Sequence, residues 1–136
     1  MKLNGARRVA KWGAAMLCAG CSSHMHYAEA QLYAQAVTEE LIRLEVCKDV
    51  ASCQAKQMVL WEGGGWKIGP FQGGGVTLQI YRITDTRVAD VLVERCRRIH
   101  STLPNTPVSI VIQSNEHIDT PHPGTQVVIR QVRIES

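Results

Sequence analysis

The 136-residue chain has no apolar run near the ~20 residues that a membrane-spanning helix requires. Its apolar stretch "WGAAMLCAG", residues 12–20, is only nine residues long, which argues against a permanent membrane helix. Acidic side chains are also missing from the start: none precedes residue 21, whereas Lys2, Arg7, Arg8 and Lys11 all do. Those four account for the formal charge of +3, since eleven of the fifteen basic residues remain beyond them against twelve acidic ones. Residues 21–136 therefore offer no bulk cationic surface for a phosphate backbone, and nucleic acid is not an expected partner. Neither glycine spacing of a phosphate-binding loop occurs, although residues 62–75 hold seven of the eleven glycines. No internal repeat is present, and no cofactor is expected. A hydrophobic fraction of 45% is enough for a folded core and argues against wholesale disorder.

Residues 1–11 are basic and residues 12–20 apolar, the layout of an export signal. The segment ends in "CAGC", with the small residues Ala19 and Gly20 directly before Cys21. This resembles the lipobox of bacterial lipoproteins, with Cys18 standing where that family usually has leucine. The resemblance implies that residues 1–20 are a signal peptide and that Cys21 carries the lipid, acyl chains such as palmitate, at the mature N-terminus. Residues 21–27 would then be a tether and residues 28–136 a single domain. Ser22, which is not aspartate, implies the outer membrane, with the domain facing the periplasm. The competing readings of Cys18 and Cys21 are weaker. A redox Cys-x-x-Cys belongs beside a βαβ unit, and a zinc half-site needs a second ligand pair.

An exported chain meets an oxidising compartment in which disulfides persist. Cys47 and Cys53, six positions apart in "CKDVASC", are the expected bridge, and Cys96 is left over. Pairing of Cys96 with either of them stays open.

Helical spacing of Tyr33, Val37, Leu41 and Leu44 predicts an amphipathic helix over residues 27–46. "KQMVLWE" reads as a short strand, the glycine-rich segment as a long connection, and "VTLQIYRI" as a half-buried strand by alternation. Asp85 caps a second helix that runs to about Ser101, ahead of Pro104, with a stripe of Val88, Val91 or Leu92, Cys96 and Ile99. "VSIVIQ" and "TQVVIRQVRI" complete the order α-β-β-α-β-β. The expected fold class is α+β, with two helices on one face of a four-stranded, mainly antiparallel sheet.

Four large apolar residues, Trp61, Trp66, Ile68 and Phe71, flank the glycines and are the candidate partner-binding residues, the alternative being that they fold over an open end of the core. Cys96 and His100, at i and i+4, form a conceivable nucleophile pair, but Cys96 falls on the stripe expected to be buried. His117, Asp119 and His122 share one loop and could ligate a metal, although a polar loop between prolines is the commoner meaning, so no metal is expected. Arg95, Arg97 and Arg98, with Arg130 and Arg133, form basic clusters; Arg97 and Arg98 lie off the apolar stripe and read as a solvated face or a site for an acidic partner. The leading expectation is a non-enzymatic protein-interaction module, lipid-anchored in the envelope, with an envelope protein as partner. It would be an accessory subunit of an envelope assembly or an immunity-type protein. A small periplasmic enzyme using Cys96/His100 or His117/His122, and a small-ligand carrier, are the alternatives.

Overall fold

The computed structural model describes residues 26–68, 71–117 and 127–135. Cys21 and the leader lie outside the described residues. The elements are α1 (Tyr27–Arg43), α2 (Val50–Ala55), β1 (Val59–Ile68), β2 (Phe71–Ile80), α3 (Thr86–Thr102), β3 (Val108–Gln113) and β4 (Val128–Ile134). The expected α+β order holds, with the short helix α2 added between α1 and β1.

The sheet order is β1-β2-β3-β4. β1–β2 and β3–β4 pair antiparallel, while β2–β3 pair in parallel. The parallel pair needs a crossover connection, and α3 supplies it. α1 packs on β1 and β2, α3 packs on β4 and β3, and the two helices touch each other. Alternation puts Val76, Leu78 and Ile80 of β2 and Val108, Ile110 and Ile112 of β3 into one buried layer against Tyr33, Leu41 and Leu92 of the helices. The opposite residues, Leu60, Thr77, Gln79, Ser109 and Val111, are half-buried, and no described helix packs over them.

Local chemistry explains the boundaries. α1 stops at Arg43 rather than Val46, because Glu45 adopts a left-handed φ of 62° and turns the chain. The Asp49 carboxylate accepts the Ser52 amide at 2.8 Å while the Ser52 hydroxyl receives the Asp49 amide at 3.1 Å, a reciprocal box that starts α2. Cys53 of α2 is disulfide-bonded to Cys47, with Cα atoms 5.5 Å apart, which fastens the turn to α2. Asp85 caps α3 by accepting the Arg87 amide at 2.8 Å, as expected. Glu40, almost wholly buried on α1, receives Arg95 of α3 at 2.7 Å and Arg43 at 2.5 Å, which pins the two helices together.

The glycine-rich segment is the largest departure from expectation. It forms the outer halves of two ten-residue strands instead of a loop. Backbone pairing needs no side chain, so two rows of the ladder can set glycine opposite glycine, Gly64 with Gly75 and Gly65 with Gly74.

Candidate functional site

β2 joins β3 only from Val76 onward, where Val76 stands opposite Val108. Residues 64–68 and 71–75 therefore pair, among the described residues, only with each other. At ~3.4 Å per residue these five rows carry a two-stranded ribbon roughly 17 Å past the end of the sheet. The inner rows, Gly64 opposite Gly75 and Gly65 opposite Gly74, form a neck without side chains. The outer rows set Trp66 opposite Gly73, Lys67 opposite Gln72 and Ile68 opposite Phe71. By alternation, positions 66, 68 and 71 fall on one register face of the ribbon, the face that continues Leu60, Glu62, Thr77 and Gln79 in the sheet. Gly74 and Gly75 have φ of 127° and 92°, a region costly for any residue with a Cβ.

The start of the domain is clamped at the foot of this ribbon. A Cβ at Gly63 would stand 2.3 Å from the His26 carbonyl oxygen, so glycine is what lets α1 approach β1 here. That carbonyl accepts the Ala30 amide at 2.9 Å, one of the first bonds of α1. The Tyr27 ring lies 5.1 Å from Trp61, tilted by 54°. His26 Nδ1 is 2.7 Å from one Glu29 oxygen, and the Thr106 hydroxyl donates to the other at 2.5 Å. Partial burial pushes the Glu29 carboxyl up, but the Thr106 and His26 bonds outweigh it and leave the group below its ordinary range. His26 and Tyr27, the last two residues of the expected tether, thus belong to the folded domain, held against β1 and, through Glu29, the loop before β3.

Trp61 corrects one expectation. It is only 9% exposed and belongs to the core cluster beneath Tyr27, so it is not a surface for a partner. Trp66, Ile68 and Phe71 remain as positions on the ribbon.

Cys96 and His100 both sit on the buried stripe of α3, at 0% and 7% exposure. Burial pushes the Cys96 thiol up to about 12, against a small opposing pull from Arg95. The enclosed thiol stays protonated at neutral pH, which weakens it as a nucleophile. Burial, with Cys96 and Glu29 nearby, likewise pushes the Tyr33 phenol above its usual range. The His117 ring meets the edge of Tyr81 at 5.1 Å. Asp119 and His122 lie outside the described residues, and among the described residues no group of three or more His, Cys, Asp or Glu could hold a metal ion. No helix among the described residues is long and apolar enough to cross a membrane.

The arginines divide. Arg97 and Arg98 are exposed, as expected for a solvated face. Arg95 is committed to Glu40 and Glu39, Arg130 to Asp90 at 3.0 Å, and Arg133 to Glu135 and the Ser109 hydroxyl. Intramolecular pairing of this kind takes Arg95, Arg130 and Arg133 out of an open basic patch.

Compared with known protein families, curated proteins and solved structures, the chain matches none.

Proposed function

We propose that the protein is a lipid-anchored envelope protein that works by contact rather than catalysis, as an accessory subunit of an envelope assembly or an immunity-type protein. The single observation behind this is the ribbon, which extends an uncovered, half-exposed sheet face well past the folded core. The one nucleophile candidate on a described element, Cys96, is by contrast enclosed and protonated.

Tethering supports the same reading. A protein held to a bilayer by a short linker meets its membrane neighbours at millimolar effective concentration, so a modest contact surface is sufficient. The face formed by Leu60, Glu62, Thr77, Gln79, Ser109 and Val111 mixes apolar and polar side chains, with Glu62 exposed, which suits a reversible protein contact. The test is a photo-crosslinking amino acid placed at Val111 in the membrane-anchored chain, with exposed Arg97 on the helix side as the control position. A discrete protein adduct from 111 and none from 97 supports the proposal. Equal adducts from both positions, or none from either, would refute it.

A further inference from the structure

The position of the ribbon relative to the N-terminal tether identifies what its outer end meets. His26 is held at Gly63, the foot of the ribbon. Only five residue steps separate it from Cys21, a covalent reach of roughly 17 Å even when fully extended. The ribbon rises roughly 17 Å beyond the same foot, and the bulk of the sheet and both long helices lie on the other side of it. A lipid on Cys21 therefore holds the foot no farther from the bilayer than the ribbon is long. The composition fits such a surface. Residues 63–84 contain no acidic side chain, and the outer rows combine Trp66, Ile68 and Phe71 with the cation Lys67. Aromatic residues beside a lysine are the groups favoured at the headgroup level of a membrane, where an anionic leaflet attracts the positive charge.

We propose that the outer end of the β1–β2 ribbon, at Trp66, Lys67, Ile68 and Phe71, docks on the phospholipid surface that bears the protein's own anchor. This inference rests on lipidation at Cys21. The ribbon then acts as a second membrane contact that stands the domain on end and leaves the open sheet face to a protein partner. A two-point attachment fixes orientation, which a single tether of this length cannot do.

The test uses the full-length, processed protein in vesicles of phosphatidylethanolamine and phosphatidylglycerol, with or without brominated acyl chains as a quencher of tryptophan emission. The Trp66 contribution is the difference between wild type and Trp66→Phe. The substitution lies outside the four-stranded part of the sheet, and equal thermal melting of the two chains confirms that the fold persists. Brominated lipid is expected to quench the Trp66 component at least about twofold, with Lys67→Glu reducing the effect in these anionic vesicles but not in phosphatidylcholine ones. An unquenched Trp66 component overturns the proposal. So does a Trp66 that is shielded from aqueous acrylamide only when envelope proteins are added, which would make the partner a protein. Intact-mass measurement of the same preparation reports the anchor independently. An acylated residue 21 without Trp66 quenching keeps the anchor and rejects the ribbon contact. Quenching without acylation rejects the anchor, and with it the proposal that ribbon and anchor share one surface.

Discussion

Replacing Gly63 by alanine strikes the clamp that joins the start of α1 to the foot of the ribbon. The added Cβ would stand 2.3 Å from the His26 carbonyl oxygen, 2.5 Å from its carbonyl carbon and 3.1 Å from the Tyr27 nitrogen. All three are backbone atoms, so no flexible side chain can swing away. Ordinary contact starts at 3.4 Å, so the carbonyl must retreat by about 1.1 Å. It is the acceptor of the Ala30 amide, and it precedes the Tyr27 ring that covers Trp61. Overpacking of this kind costs ~1–3 kcal/mol. The reduced freedom of the unfolded alanine chain returns ~0.4–1 kcal/mol. A net loss of about 1–2 kcal/mol is expected, equivalent to a fall in Tm on the order of 5–10 °C for a domain of this size. Urea unfolding should show a lower midpoint at unchanged slope. Hydrogen exchange read by NMR should show the Ala30 amide losing protection ahead of the amides in the middle of α1. A Gly63→Ala protein as stable as wild type, with Ala30 still protected, would show that the close approach does not constrain the fold.

Three further outcomes follow from the packing. Reducing the Cys47–Cys53 bridge, or replacing both residues by serine, releases a loop with a sequence separation of six. Chain entropy assigns this a loss of about 2 kcal/mol, and an unfolding midpoint insensitive to reductant would contradict it. Glu40→Gln removes the carboxylate that Arg43 and Arg95 share, at an expected cost of about 1.5–3 kcal/mol in urea unfolding. Burial raises the pKa of Glu40, but the two arginines outweigh it, so its folded pKa lies below the ordinary value of 4.5. The unfolded chain therefore binds the proton first as the pH falls. The stabilisation is complete above pH ~4.5 and is lost as pH drops through the depressed folded pKa, a loss the Gln variant should not show. Iodoacetamide at pH 8 should leave Cys96 unmodified in the native protein and modify it fully in guanidinium, because burial holds the thiol at about 12. Native modification at the rate of a free cysteine would disprove that enclosure.

Much of the frame is legible in the residues alone. α3 announces itself through the Asp85 cap, a 3.6-residue apolar stripe and the proline after its end, and the structure places it over Thr86–Thr102. The β-branched run of β3 and the Cys47–Cys53 spacing are similarly direct. The ribbon is not, because strand periodicity is written in side chains and five of its ten positions have none. What makes those glycines strand is the register imposed by the flanking pairs, Trp61 with Leu78 and Ile68 with Phe71. Trp61 carried a usable signal: alternation from Val59 puts it on the core face, whatever the flexibility of the glycines that follow. The Asp49–Ser52 box was also visible, but six residues are too few for a helical stripe to mark α2. The approach of His26 to Gly63 spans distant parts of the chain, and nothing local in the glycine run singles out that position.

Attachment through Cys21 underlies both the tethered role and the docking of the ribbon. Metabolic labelling with radioactive palmitate, comparing wild type with Cys21→Ser, tests it most directly. Label in the wild-type protein and none in Cys21→Ser is the expected result. Equal labelling of the two, or no label in either, would contradict it.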